Sequence, residues 1–206
     1  MAEAMARAGA LVYLNGRDPE HTKVAADRLG DAGLTAHPLP FDVNDEKAGK
    51  AAIEAVAAQH GRLDILVNNV GQRLRAPIES ITLDGLQGML STNVGGPFYL
   101  SKLAAPIMIR NGYGRIIMLS SASTRRMRAG DAAYIASKGA IETLTRALAC
   151  EWGRQGVTCN AISPGPFATE TNAAMVSDPV VARSLVRHLR SAAGQSPAKL
   201  AVPAFF

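Results

Sequence analysis

The chain has 206 residues, of which 48% are apolar and 5% aromatic, and it carries a formal net charge of +5 with an isoelectric point near 9.5. This length and apolar content suit one globular domain. The basic residues do not form one stripe with interleaved aromatics, so nucleic-acid binding is not expected. No apolar run reaches the ~20 residues of a membrane span and no secretory leader precedes the domain, which predicts a cytoplasmic protein without membrane attachment.

Strands and helices alternate along the sequence, as a parallel doubly wound sheet requires. The predicted strands are short and apolar and cover residues 10–15, 34–40, 63–67, 114–119 and 157–162. The predicted helices cover residues 19–29, 45–59, 83–110 and 132–153. The third of these helices contains Pro97 and Pro106, which predict bends because proline lacks a backbone donor. The sequence therefore indicates an α/β fold.

One predicted helix carries Tyr134 and, four residues later, Lys138. Residues at this spacing share a helix face, so a phenol and an ammonium group would lie side by side. A neighbouring cation stabilises the phenolate form of a tyrosine. The pair is therefore a candidate acid/base couple, although the same spacing occurs by chance in many helices.

Polar residues follow two of the predicted buried strands. The strand at 114–119 ends in Ser120 and Ser121, and the strand at 63–67 ends in Asn68-Asn69-Val70-Gly71. Open α/β sheets bind ligands at the carboxyl ends of their strands. Both segments are therefore candidate binding loops, while a structural role in capping the turns is the alternative for Ser121.

These residues, in this order, resemble the classical short-chain dehydrogenase/reductase family over residues 1–185. The motifs that carry the resemblance are Asn68-Asn69-Val70-Gly71, Asn93 within Thr92-Asn93-Val94-Gly95, Ser121, the pair Tyr134 and Lys138, and Pro164-Gly165 with Thr169. The resemblance implies that Tyr134 is the general acid/base, that Ser121 polarises the substrate carbonyl, and that Lys138 tunes the tyrosine and grips the nicotinamide ribose. It also implies that Asn93 holds a water in a proton relay, against the alternative that Asn93 only bonds to backbone.

The same resemblance implies a nicotinamide cofactor. The implied cofactor-binding residues are Arg17, Asp42, Val43, Asn69, Val70, Gly71, Tyr134, Lys138, Pro164, Gly165 and Thr169. In dinucleotide folds an acidic residue after the second strand accepts the ribose 2′-hydroxyl, whereas an arginine there accommodates a 2′-phosphate. Gly16 stands at the acidic place and Arg17 follows, so NADP is expected in preference to NAD. The isolated Cys150 and Cys159 lack metal-ligand spacing, and they predict buried free thiols and no metal site.

Two departures from the family pattern are visible. The family's first strand and glycine-rich turn do not precede Glu3-Ala4-Met5-Ala6-Arg7, which reads as the end of the helix after that turn. In the strand order 3-2-1-4-5-6 the first strand is central, so we expect a gap in the sheet. Residues 1–187 are therefore interpreted as an incomplete dinucleotide-binding domain that also lacks the final strand, and residues 188–206 as a divergent, disordered tail.

The expected activity is hydride transfer between NADP(H) and a carbonyl or secondary alcohol, with a sugar or sugar acid as substrate, because residues 164–172 resemble gluconate 5-dehydrogenase-like members. A 3-oxoacyl carrier-protein reductase is one alternative, and a non-catalytic relative that pairs with a complete homologue is another. Arginines near both candidate loops suggest an anionic substrate, with a solvated charge run as the alternative: Arg73, Arg75, Arg125, Arg126 and Arg128. The helices at 83–110 and 132–153 resemble the family's assembly helices, which predicts a homo-oligomer.

Overall fold

A computed structural model describes residues 1–165 of the chain, and Thr169 and the predicted tail lie outside these residues. The α-helices are α1 (Ala2–Arg7), α2 (Pro19–Asp31), α3 (Glu46–His60), α4 (Leu83–Leu90), α5 (Gly96–Arg110) and α6 (Ala132–Trp152). The strands are β1 (Val12–Leu14), β2 (Ala36–Pro38), β3 (Ile65–Asn68), β4 (Gly114–Leu119) and β5 (Val157–Ile162). Within the described residues, no helix combines the length and apolarity needed to cross a bilayer.

The strands form two parallel sheets, β1–β2 and β3–β4–β5. In the family's strand order, β1 and β2 correspond to strands 2 and 3, and β3, β4 and β5 correspond to strands 4, 5 and 6. Strand 1 of that order would lie between β1 and β3. Among residues 1–165 no hydrogen-bonded strand pairing joins β1 to β3. The predicted Rossmann-like fold is therefore confirmed, and within the described residues the two sheets are separate, as the predicted central gap requires.

Local sequence signals account for the helix boundaries. The carboxylates of Asp18 and Asp45 accept the backbone N–H groups of His21 and Ala48 at 2.9 and 3.0 Å and so cap α2 and α3. Gly61 ends α3 in the left-handed region at φ 68°, where a residue with a Cβ is strained. These caps fix where each crossover helix leaves the sheet.

The long helix predicted at 83–110 is divided by a π-helical turn at Ser91–Gly95, between α4 and α5. Pro97 explains the position of this turn, since it has no N–H to donate to the carbonyl of Asn93, four residues earlier. The widened turn holds Asn93, which is 1% exposed, on the inner side of the helix. The interruption predicted near Pro97 is therefore present as a π-helical turn just before this proline, whereas α5 continues through Pro106 without a break.

The main core lies between α5, α6 and the β4–β5 pair. It is built from the buried side chains Ala104, Met108, Ile116, Met118, Ile141, Leu148, Val157 and Cys159. A second cluster joins α3 to α5 and comprises Val43, Ile53, Leu100 and Ile107. Both cysteines are free as predicted, but only Cys159 is buried, because Cys150 lies on the solvent side of α6. Burial raises the pKa of the Cys159 thiol to about 11, so this thiol stays protonated.

Candidate active site

Helix α6 places Tyr134 and Lys138 on one face, as the spacing predicted. The Lys138 Nζ lies 5.8 Å from the centre of the Tyr134 ring and donates to the Leu119 carbonyl at 2.7 Å. Lys138 is 5% exposed, and burial lowers the pKa of its ammonium group to about 8. The structure therefore places a cation of weakened proton affinity beside the candidate acid/base.

The loop after β3 fits tightly against this pair. A Cβ added to Gly71 would lie 3.2 Å from the Lys138 Nζ and 3.4 Å from the Asn93 Oδ1. The contact with Lys138 is tighter than most Cβ contacts, so a side chain here would require the lysine to shift by a few tenths of an ångström. Gly71, Asn93 and Lys138 are thus brought together from three separate parts of the chain.

Asn93 fastens the same loop through its side-chain amide. Its Oδ1 accepts the Gln72 backbone N–H at 2.6 Å, and its Nδ2 donates to the Gln72 carbonyl at 2.8 Å and to the Ser137 Oγ at 2.9 Å. The backbone bonding considered for Asn93 is therefore real. Its buried position in a π-turn is also typical of functional sites, where such turns concentrate.

Ser121 follows β4 and begins a short 3₁₀ turn, Ala122–Thr124. Its Oγ accepts the Ser123 backbone N–H at 3.2 Å and lies 3.1 Å from the Ser123 Oγ. The hydroxyl oxygen of the preceding Ser120 lies 3.1 Å from the Lys138 carbonyl oxygen, so the end of the strand lies against α6. Ser121 thus has the capping role considered for it, at the end of the strand that faces the helix of Tyr134.

An ion-pair cluster next to Tyr134 was missed by sequence reasoning. Asp131 is 1% exposed, and its carboxylate accepts two hydrogen bonds from the Arg73 guanidinium, with Nε at 2.9 Å from Oδ1. The Arg75 Nε lies 3.5 Å from the same oxygen. Desolvation raises the pKa of Asp131, but the two arginines outweigh it and the net shift is downward. The signal available in the sequence was an acidic residue at the start of a helix, three positions before the tyrosine.

Arg73 also contacts the candidate acid/base directly. Its guanidinium carbon lies 4.9 Å from the centre of the Tyr134 ring, within cation–π range. A backbone hydrogen bond of 2.9 Å from the Ala76 N–H to the Gly130 carbonyl joins the same two segments. Tyr134 is therefore flanked by two cations from different elements, Lys138 and Arg73.

The remaining cofactor candidates are spread along the strand ends. Arg17 is exposed in the turn after β1, and the Asp42 carboxylate accepts the Asn44 backbone N–H at 2.9 Å. The Val43 side chain is buried in the second core cluster, which leaves only its backbone for a ligand. Four further cofactor candidates lie in loops near the strand ends and are partly or fully exposed: Asn69, Val70, Pro164 and Gly165.

The segments after β4 and β5 are joined through backbone, since the Ala122 N–H donates to the Pro164 carbonyl at 3.0 Å. This brings the predicted Pro164-Gly165 turn to the strand end that carries Ser121. Over residues 1–165 no group of three His, Cys, Asp or Glu side chains is placed to hold a metal ion. The described site is built from the Tyr134 phenol, the Lys138 ammonium group, the Arg73–Asp131 ion pair, hydroxyls and amides.

Known proteins share this sequence pattern. A family model described as "Enoyl-(Acyl carrier protein) reductase" matches residues 1–201. The gluconate 5-dehydrogenase of Gluconobacter oxydans (strain 621H) is 38% identical over 178 residues, which are 86% of this chain and 70% of the relative. The 5-keto-D-gluconate 5-reductase of Escherichia coli (strain K12) is 29% identical over 206 residues, which are 100% of this chain and 81% of the relative.

Solved structures share the fold as well. A gluconate 5-dehydrogenase from Burkholderia cenocepacia J2315, in complex with NADP and tartrate, has a TM-score of 0.84 at 35% identity, over 90% of this chain and 73% of that chain. A metagenomic short-chain oxidoreductase in complex with NADP has a TM-score of 0.76 at 29% identity, over 91% of this chain and 82% of that chain. The chain therefore belongs to the short-chain dehydrogenase/reductase family of oxidoreductases.

Proposed function

We propose that this chain is an NADP(H)-dependent oxidoreductase that interconverts a carbonyl and a secondary alcohol on a sugar acid. The observation that carries the proposal is the position of Tyr134 between Lys138 and Arg73, at 5.8 and 4.9 Å from its ring centre. Relatives named for gluconate and 5-ketogluconate chemistry support the substrate class. We further propose a cytoplasmic location and a homo-oligomer built on α5 and α6.

The residues present fit two ends of a nicotinamide dinucleotide. At the nicotinamide end, Gly71 lets the loop after β3 lie close to Lys138, because a Cβ there would come within 3.2 Å of the Lys138 Nζ. At the adenosine end, a Cβ on Gly16 would lie 2.6 Å from the Thr22 Oγ1, so an acidic side chain is excluded unless Thr22 moves. Arg17 follows with a side chain suited to a 2′-phosphate. The pyrophosphate between these ends has no matching turn in the described residues, because residues 1–165 contain no glycine-rich strand-to-helix turn.

The chain's own groups would handle charge and protons. A bound nicotinamide would supply or accept the hydride. Negative charge on the substrate oxygen would be stabilised by hydrogen bonds from the Tyr134 and Ser121 hydroxyls, and Tyr134 would then transfer its proton. Lys138 and Arg73 would stabilise the resulting phenolate. Asn93 would hold the Gln72 backbone and, as the resemblance implies, a relay water.

Charge near the site supports an acidic substrate. Two guanidinium groups, of Arg73 and Arg75, face the single carboxylate of Asp131, so this set keeps a positive charge. Arg73 is committed to Asp131, which makes the exposed Arg126 of the loop before α6 the better candidate for a substrate carboxylate. Guanidinium groups bind carboxylates through two parallel hydrogen bonds.

Steady-state kinetics with NADPH would test the proposal. We expect turnover of 5-keto-D-gluconate above that of a neutral ketohexose or an acetoacetyl thioester, the last representing 3-oxoacyl reduction. Tyr134→Phe should abolish turnover while NADPH still quenches protein fluorescence. Arg126→Ala should raise the KM for the acid and leave that for the ketohexose unchanged. If Arg126→Ala left the KM values for the acid and for the ketohexose equally unchanged, the sugar-acid assignment would be contradicted.

A non-catalytic role, in which the chain pairs with a complete homologue, is the second candidate, and the exposed aromatic side chain of Phe98 on α5 favours it. Titration with NADPH, followed by nicotinamide fluorescence, separates the two. A saturable change supports the enzyme, whereas no change at millimolar cofactor contradicts it. In that case light scattering of mixtures with a full-length gluconate 5-dehydrogenase would reveal pairing through α5, where Phe98 is 49% exposed.

A further inference from the structure

Glu142 lies on α6, two helical turns beyond Tyr134, and its Oε1 accepts three hydroxyl groups. The Ser120 and Thr124 hydroxyls each lie 2.9 Å from this oxygen, and the Ser163 hydroxyl lies 3.1 Å from it. These serines and the threonine come from three places, namely the end of β4, the turn after Ser121 and the end of β5. One carboxylate oxygen therefore joins three chain segments to α6.

The hydroxyl protons point to Glu142 for an electrostatic reason. Ser120 and Thr124 also have backbone carbonyl acceptors, of Lys138 at 3.1 Å and of Ser121 at 2.9 Å. The Ser121 carbonyl already accepts the Thr124 backbone N–H at 3.2 Å. Hydrogen bonds to a charged acceptor are about twice as strong as neutral ones, so the carboxylate is the preferred partner.

Glu142 keeps its charge near neutral pH. Desolvation raises the pKa of its carboxyl, but the hydrogen bonds from Thr124, Ser120 and Ser163 outweigh this effect. The Arg125 side chain adds a further favourable charge interaction. The net shift of the pKa is downward, which keeps the carboxyl an acceptor for all three hydroxyls.

The segments joined in this way carry two parts of the site. The first, Ser120–Thr124, includes Ser121, and the second begins at Ser163 and continues into Pro164-Gly165. Backbone bonds from the Ser120 N–H to the Ile162 carbonyl at 2.8 Å and from the Ala122 N–H to the Pro164 carbonyl at 3.0 Å hold the two segments side by side. Glu142 supplies the link between this pair of loops and the helix of Tyr134 and Lys138.

We propose that Glu142 is a positioning residue that sets the Ser121 hydroxyl and the turn after β5 against Tyr134. The Glu142 carboxylate bonds to the hydroxyls of Ser120, Thr124 and Ser163, and it acts on the site through these residues. The kinetic part of this role rests on the proposed oxidoreductase function. The structural part, the clamping of two loops onto α6, does not require turnover.

Three variants and a control separate the roles of charge, acceptor and packing. Glu142→Gln keeps an acceptor oxygen, Glu142→Ala removes it, and Ser163→Ala releases the β5 turn alone. Glu151→Ala on the same helix is the matched control, since its carboxylate is exposed and lies away from the site. All four proteins are compared with the wild-type chain by amide hydrogen exchange and by kinetics.

For Glu142→Ala we expect amide exchange at least ~10-fold faster than wild type in residues 120–125 and 160–165, with exchange in α3 unchanged. We also expect a kcat ~10- to 100-fold lower and a KM within ~3-fold of wild type, because a misplacement of about 1 Å lowers the rate by up to 100-fold. Glu142→Gln should restore kcat to within ~5-fold, and Ser163→Ala should affect exchange only in 160–165. Unchanged exchange in 120–125 for Glu142→Ala overturns the proposal, as does a loss of kcat that Glu142→Gln fails to rescue. Absence of wild-type turnover contradicts the proposed function alone, and exchange still decides the clamp.

Discussion

The protonation of Lys138 links burial to chemistry at the level of a single residue. The ammonium group lies against Tyr134 and is bonded to the Leu119 carbonyl, but burial lowers its pKa from the ordinary 10.5 to about 8. A cation that stabilises a phenolate is useful only while it is protonated. The described protein thus holds its candidate tuning group close to the pH at which its charge is lost.

We predict that the free energy of unfolding rises with pH between about 8 and 10.5 through Lys138. In this range the unfolded chain still binds the lysine proton and the folded chain has released it, so stability increases with pH. At ~1.4 kcal/mol per pKa unit the rise is up to ~3 kcal/mol, and it is lost as the pH falls to 8. Urea unfolding of the wild type and Lys138→Met across this range measures it. If the free energies of unfolding of the two proteins changed with pH in the same way, Lys138 would not be the cause of the rise.

At the level of elements, glycine conformation decides where β5 starts. Gly156 precedes β5 with φ 84°, and a Cβ there would lie 2.4 Å from the Gly112 carbonyl oxygen. The same turn places the Gly156 carbonyl to accept the Gly114 N–H at 3.2 Å, at the start of β4. The register of the β4–β5 pair therefore depends on this one residue lacking a side chain.

Substitution of two glycines by alanine tests this argument. Gly156→Ala should lower the free energy of unfolding by at least ~2 kcal/mol, because a left-handed backbone costs an alanine ~1–2 kcal/mol and the clash adds to it. Gly30→Ala in α2, where a Cβ meets no atom within 4 Å, should raise it by up to ~1 kcal/mol. Thermal unfolding of both variants gives the comparison. A loss of similar size in both would show that helix and turn glycines are equivalent here.

At the scale of the whole molecule, the distinguishing feature is that, among residues 1–165, no strand lies between β1 and β3. The Arg115 N–H donates to the Asp64 carbonyl at 2.8 Å, so the backbone groups of Asp64 point toward β4. Because these directions alternate along a strand, the backbone groups of Leu66 also point toward β4, and those of Ile65 and Val67 point into the space between β1 and β3. On the other side the Val12 N–H donates to the Thr35 carbonyl at 3.3 Å, which leaves Tyr13 facing the space. The described part of the chain thus presents two strand edges at the place of the family's central strand.

Hydrogen exchange should reveal these edges residue by residue. We predict that the amides of Tyr13, Ile65 and Val67 exchange at least ~10-fold faster than those of Val12 and Leu66, since only the latter donate to a neighbouring strand. Exchange measured by NMR on the whole chain gives each rate separately. Equal protection within both strands would mean that another segment pairs with the edges and fills the space.

Local patterns in the sequence determined the elements and their order. Short apolar runs and the Tyr134–Lys138 spacing depend on near neighbours. The strands were therefore predicted to within two residues at each end, and the acid/base pair was placed on one helix face. The resemblance predicted the family and the gap between β1 and β3 of the described residues. The cofactor roles and the domain boundary at residue 187 stay predictions.

Only the tertiary structure decided which charges meet. Arg73 was one of five arginines considered either as substrate ligands or as solvated charges. It lies against Asp131 and Tyr134, because the turn after β3 packs over the start of α6, 58 residues later. Likewise Glu142 collects Ser120, Thr124 and Ser163 from segments that adjoin only in the folded sheet. Spacing along a helix or strand is set by local geometry, whereas the partner of a buried charge is set by how distant segments pack.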